Sequence, residues 1–141
     1  MSEKIIKETY VHFLEDLKYR VASSRSQAAR NVNKELILLY HHIGTEILKS
    51  QKEYGWGAKI IDTLSRDLGS AFPEMKGFSP RNLKYMRKFA QEYPYTEFVQ
   101  QAVAELPWGH NVFLMDRWTD RENRIFYVKQ AIEHGWSRNR M

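Results

Sequence analysis

The residues in this chain best suited to chemistry lie between Ser79 and Tyr93. On a helix turning about 100° per residue, Arg81, Lys84, Tyr85 and Lys88 share one side, and Leu83, Met86, Phe89, Ala90 and Tyr93 share the other. Arg87 falls at the margin, Asn82 sits in the first turn, and Glu92 is the only acid, near the end. Such a helix can bury its apolar side and lay its cations along phosphates. Arg and Asn near a helix N-terminus are also the types that read guanine and adenine edges. The expected nucleic-acid-binding set is therefore Arg81, Asn82, Lys84, Tyr85, Arg87 and Lys88, with the cations on phosphates and Asn82 and Tyr85 nearer the bases. The competing reading is a basic face that is simply solvated or meets a protein.

Other candidates reduce to structure. His41 and His42 are adjacent, so on a helix their rings point about 100° apart and do not readily chelate one ion. His12, His110 and His134 stand singly, and no metal or cofactor is expected. Glu74-Met75-Lys76 matches the end of a metal-dependent nuclease pattern. That chemistry needs the pair on a strand beneath an upstream Asp, whereas here it falls in a turn between helices. Gly55-Trp56-Gly57 lacks the spacing of a phosphate-cradling loop and reads as a helix stop with a buried Trp. Pro107-Trp108-Gly109-His110 reads as a turn pinned by an aromatic; the functional alternative is an exposed Trp108 stacking on a base. No Ser-His-Asp or lysine-nucleophile arrangement can be assembled, so the chain is not expected to be an enzyme by itself.

The elements that must position these residues are helical throughout. Ile5, Ile6, Phe13, Leu14, Leu17 and Val21 make one stripe at helical spacing, which predicts a helix from Lys4 to about Ala22. Ser23-Ser24-Arg25-Ser26 is the expected break, with serines as caps. Ala28, Ala29, Val32, Leu36, Leu39, Ile43 and Ile47 continue at three- and four-residue steps, predicting a long second helix from Ser26 to Gln51. Two long helices joined by a short break suggest a helical hairpin, and the same stripe could serve a homodimer seam. Further helices are expected from Ala58 to Phe72, from Ser79 to Tyr93, from Thr96 to Glu105, from Asn111 to Asp116 and from Asp120 to His134. Ser79-Pro80 supplies a cap and a first-turn proline, Pro73 and Pro94 supply stops, and Gly135 closes the last. Ser137 looks like the cap of another helix. The helix before Pro73 and the one after Ser79 together suggest a helix-turn-helix with the second helix as reader, although the turn from Pro73 to Phe78 is longer than usual.

The totals fit one all-α domain over residues 1–141, divided into a hairpin (4–54), a helix-turn-helix-like unit (55–93) and C-terminal helices (94–141). A chain of 141 residues can bury a sizeable core without staples. It has no cysteine, which excludes disulfides and thiolate metal sites. The net charge of +5, from 22 cations and 17 anions, is moderate, so where the cations lie matters more than their sum. The charged N-terminus has no secretory h-region and the longest apolar run is about five residues. A cytoplasmic protein with no membrane partner is expected.

The run Asn33-Lys34-Glu35-Leu36-Ile37-Leu38-Leu39-Tyr40, followed by Ile43-Gly44, resembles the opening of YhcG-type proteins. So do Gly55-Trp56-Gly57, Ile61-Asp62-Thr63-Leu64-Ser65-Arg66-Asp67-Leu68, Phe72-Pro73 and Gly77-Phe78-Ser79-Pro80-Arg81-Asn82-Leu83. Met86-Arg87, Leu106-Pro107-Trp108-Gly109-His110, Arg124-Ile125-Phe126-Tyr127 and Gly135-Trp136-Ser137-Arg138 continue the likeness, which covers the chain from about Tyr10 onward. The departure is His41-His42, which stands where that family often has a Trp and an acid. The resemblance implies a helix-turn-helix-like, DNA-binding N-terminal half, followed in the family by a half similar to PD-(D/E)xK nucleases. The expectation is a non-catalytic DNA-binding domain that positions a nuclease domain lying beyond Met141. The alternative is a protein-interaction or homodimerisation module built on the long helices.

Overall fold

A computed structural model describes residues 3–28, 32–101 and 103–136. All regular structure among these residues is helical. The first two helices, α1 (Glu3–Ala28) and α2 (Val32–Tyr54), pack on each other. They run antiparallel: Tyr10 and Phe13, early in α1, meet Trp56 just past the end of α2, while Arg20 lies beside Leu38 and His42. The expected break at Ser23–Ser26 is not there, because α1 runs through it to Ala28. Three serines each cost a helix only a few tenths of a kcal/mol, and no Gly or Pro occurs between Arg20 and Val32 to force a stop. The next described helix begins at Val32.

Helix α3 (Lys59–Ala71) buries Ile61, Leu64 and Leu68, which recur at helical spacing, and Pro73 follows its end. The link to α4 (Pro80–Glu92) is anchored by two buried aromatics, Phe72 and Phe78, with the Ser65 hydroxyl donating to the Phe78 carbonyl. Gly77 sits in this link at φ +124°, and a Cβ there would overlap the Tyr40 hydroxyl. Helix α4 begins as its sequence requires. Ser79 Oγ accepts the Asn82 N–H at 3.1 Å and Pro80 takes the first turn, a cap worth about 1 kcal/mol.

The rest is shorter and more broken than the periodicity suggests. Helix α5 (Thr96–Gln101) is followed by a 3-10 turn, Val103–Glu105, where one continuous helix was expected. Helix α6 (Trp108–Arg117) starts three residues earlier than expected, so Trp108-Gly109-His110 forms its first turn rather than a break. Pro107 is compatible with that start, and Asn111 ties it down by donating toward the carbonyls of Val103, Leu106 and Pro107, each at 3.3 Å. Helix α7 (Arg121–His134) is capped by Asp120 and ends at Gly135 (φ +62°), as the sequence indicates. The proposed cap at Ser137 lies outside the described residues.

At the centre α2 and α4 lie against each other more extensively than any other pair. Gly44 makes this possible: a Cβ there would overlap the Met86 carbonyl oxygen, so the two backbones are in direct contact. Ile37, Ile43, Met86 and Phe89 fill the seam and are fully buried. Helix α1 and α3 close one side around Leu17, Val21, Leu64 and Leu68, while α5 and α6 close the other around Val99, Val103 and Met115. Helix α7 packs on α6 through Leu114, Val128 and Ala131. No described helix is long and apolar enough to cross a membrane.

Candidate nucleic-acid interface

The two-sided character of α4 is realised in the packing. Leu83, Met86, Phe89 and Ala90 are buried, with Tyr93 just beyond the helix end, whereas Arg81 and Lys84 are exposed and Tyr85, Arg87 and Lys88 are half-buried. These five outward residues line a shallow groove of about 470 Å³ with Gln91 and Glu92. The Arg81 guanidinium lies over the Tyr85 ring, 5.1 Å from its centroid, which orders both side chains. Arg87 reaches back to α2 and donates to Gln51 at 3.2 Å, consistent with its marginal position on the helix.

Asn82 is placed apart from the other five. Its Nδ2 donates to the Gly77 carbonyl at 2.7 Å and its Oδ1 accepts from Trp108 Nε1 at 2.8 Å. The amide is thus committed to holding the α3–α4 link and the start of α6. Trp108 itself packs edge-on against Tyr40 and Phe89, with centroids 4.9 and 5.2 Å away. Trp108 is half-buried with its N–H and ring engaged inside the protein, which favours an aromatic pin over an exposed ring free to stack on a base. Trp56 is buried as expected, edge-on to Phe13 at 5.3 Å.

Two acids bear on this surface, and they do opposite things. Asp116 comes from the end of α6 and accepts the Tyr85 hydroxyl at 2.7 Å, with Lys88 Nζ 3.7 Å away. That hydrogen bond is the main reason the Tyr85 phenol is pushed above its ordinary pKa of 10.0. Lys88 also points toward the Met115 carbonyl at 3.5 Å. Nothing in local sequence signals this, because Asp116 and Tyr85 are 31 residues apart and meet only when α6 docks on α4. Glu92, by contrast, is spent on Arg124, a fully buried cation on α7 that donates to Glu92 at 3.0 Å, to the Tyr93 hydroxyl at 3.0 Å and to the Trp118 carbonyl at 3.2 Å. Burying an arginine requires such partners. Arg124 therefore takes up the acid that would otherwise offset the basic strip.

The histidines are structural in position. His41 is buried and its Nε2 lies 2.6 Å from the Tyr93 carbonyl, so that nitrogen carries the proton in the neutral ring. Burial lowers its pKa and, likewise, that of His42. His110 Nε2 donates to the Trp136 carbonyl at 3.0 Å. Among the described residues no group of three or more His, Asp or Glu is placed to hold a metal ion.

An all-helical domain, with a capped basic helix braced on its inner side by a helix seam and on one flank by a later helix, is the class these features define. The DUF1016 N-terminal domain model matches residues 16–141, and the chain belongs to that family. A relative in Escherichia coli (strain K12), bearing the name "Putative nuclease YhcG", is 30% identical over 149 aligned residues. That alignment covers 83% of this chain but only 39% of the relative, so the chain corresponds to a minor part of that protein's length. The likeness to the YhcG family is thus shown over most of the sequence. No solved structure matches the chain.

Proposed function

We propose that this domain binds duplex DNA along the outer side of α4 and positions a nuclease domain carried elsewhere in the full-length protein. The observation that carries the proposal is the groove over α4, where Arg81, Lys84, Tyr85, Arg87 and Lys88 converge, with Asp116 bonded to Tyr85 and Lys88 at its edge. The name of the E. coli relative, whose length extends far beyond this chain, supports the nuclease half of the reading. Arg81 and Lys84 are the exposed cations and carry most of the phosphate attraction, Tyr85 stands nearest to the bases, and Asn82 contributes by fixing the helix start. Helices α3 and α4 form the helix-turn-helix-like pair, joined by a link longer than the usual turn and braced from behind by α2.

Fluorescence anisotropy with labelled duplex DNA at about 50 and 200 mM salt tests this directly, since phosphate contacts lose affinity steeply over that range. The wild type should bind and weaken with salt. Arg81→Glu, Lys84→Glu and Lys88→Glu combined should abolish binding while circular dichroism stays helical. Equal binding by the folded triple variant refutes the α4 surface. The alternative, a protein-interaction or homodimerisation module on the long helices, would be favoured by an apolar stripe on α2 beyond what α1 covers, and it predicts a stable dimer in light scattering. In α2, Ile37, Leu39, Ile43 and Ile47 are buried, and among the described residues no α2 side chain is one of the large apolar groups left exposed.

A further inference from the structure

A recess of about 160 Å³ lies between α1, α2 and α5, with no residue of α4 in its lining. Its polar walls are Arg20 from α1, His41, His42 and Thr45 from α2, and Thr96 and Gln100 from α5, with His41 Nε2 already committed to the Tyr93 carbonyl. No acid is among them. Arg20 Nε is enclosed by protein and has no hydrogen-bond partner. No hydrogen bond or ion pair satisfies the Arg20 guanidinium among the described residues, and an arginine at a recess without an acceptor points to a ligand that its terminal nitrogens can reach. Thr45 donates to the His41 carbonyl of its own helix at 2.8 Å, which leaves His42, Thr96 and Gln100 to share the cavity with Arg20.

The charge around the recess is divided. His42 also lines a neighbouring cavity with Asp16 and Glu46, so its imidazole stands between the acids and the Arg20 side. The positive Arg20 is one of the groups that lower the His42 pKa, after desolvation, while Glu46 opposes it. An anion beside Arg20 would offset its charge and so relieve this repulsion. Size narrows the class further. At about 30 Å³ per water, the recess holds roughly five water-sized units, enough for a tetrahedral oxyanion but too little for a sugar and base.

We propose that this recess binds a phosphate group, with Arg20 as the charged ligand and Thr96 and Gln100 as neutral donors. Free inorganic phosphate and the terminal phosphate of a nucleic-acid strand share this chemistry. The proposal does not rest on the reading of α4, because its ligands come from other helices.

The test is a backbone and arginine-side-chain NMR titration of the 141-residue chain with inorganic phosphate, against sodium chloride at matched ionic strength. Saturable shifts are expected at Thr45, Thr96, Gln100 and the Arg20 Nε–H. Arg20→Gln should weaken binding about tenfold or more, as expected for losing a charged hydrogen bond. Thr96→Val, which leaves the charge in place, should weaken it about threefold. The triple α4 variant should titrate as wild type does, which separates failure here from failure of the DNA reading. A 5′-phosphorylated oligonucleotide that displaces inorganic phosphate from these amides, where its unphosphorylated twin does not, assigns the site to strand ends; no displacement assigns it to free phosphate. Shifts that follow ionic strength alone, or that persist unchanged in Arg20→Gln, overturn the proposal.

Discussion

Replacing Asp116 with Asn should tighten duplex binding, and most at low salt. The carboxylate sits within the basic strip, 2.7 Å from the Tyr85 hydroxyl and 3.7 Å from Lys88 Nζ, with about half its side chain exposed. A phosphate docked on Arg81 and Lys84 would lie about 7 Å from it, where repulsion amounts to about 0.6 kcal/mol at bulk dielectric and about half that once screened. Two such phosphates contribute about 0.6 kcal/mol together. Freeing Lys88 to neutralise one more phosphate adds a similar amount and steepens the salt slope by about 0.9. The sum is near 1 kcal/mol, or about a fivefold tighter Kd at 50 mM salt. A slope change of 0.9 over a fourfold rise in salt reduces that advantage about 3.5-fold, to under twofold at 200 mM. Asn keeps an acceptor for Tyr85, so the docking of α6 is preserved. Anisotropy at the two salt concentrations gives both numbers. Unchanged or weaker binding by Asp116→Asn would mean that phosphates do not approach this side of α4.

Two further outcomes follow from the same packing. Gly44→Ala places a methyl against the Met86 carbonyl, a backbone atom that cannot swing aside, so α2 and α4 must separate; urea unfolding should show a loss of at least about 1–3 kcal/mol, the usual cost of overpacking, and an unchanged midpoint would show that the seam is looser than described. His41 is buried, which holds its pKa below the ordinary histidine value of 6.5, so below that pH the unfolded chain takes up a proton the folded chain resists. Stability should rise with pH up to about 6.5 and then level off, by no more than about 1.4 kcal/mol per unit for this residue. His42, shifted in the same direction, adds to the same window. Urea midpoints between about pH 5 and 7.5 should therefore show a shallower slope for His41→Gln, and an identical slope would remove His41 from the account.

What could be read in the sequence was what is local. Ser79-Pro80 and Asp120 announce helix starts because capping is decided within three residues, and the split faces of α4 follow from period alone. The break at Ser23–Ser26 misled because serine only weakly disfavours a helix, so composition there could not override the helical run on either side. At Trp108 the aromatic pin was legible, since its ring packs on Tyr40 and Phe89 from two other helices, but its setting was not: Pro107 and Gly109 look like a turn, yet α6 starts there. Asn82 carried a plausible base-reading type, but both ends of its amide are taken by groups that approach only in the folded chain.

The same long-range bonds also explain why the outer strip of α4 has a fixed orientation. Its inner side is pinned on α2 through Gly44, its start is tied to α6 by Asn82 and Trp108, and its end is tied to α7 by Glu92, Tyr93 and Arg124. One flank is held by Tyr85 and Lys88 on Asp116 and the other by Arg87 on Gln51. Arg81, stacked over the Tyr85 ring, and Lys84 keep their charged ends on an exposed helix face, close to the capped N-terminus. Arg124 links the end of α4, the helix proposed to meet DNA, to α7. A buried, hydrogen-bonded arginine is costly to displace, so this coupling is stiff. Arg124→Met should therefore loosen α7 from α4 without changing the outer cations, lowering the urea midpoint while duplex affinity is kept; loss of binding together with helicity would assign Arg124 to folding alone.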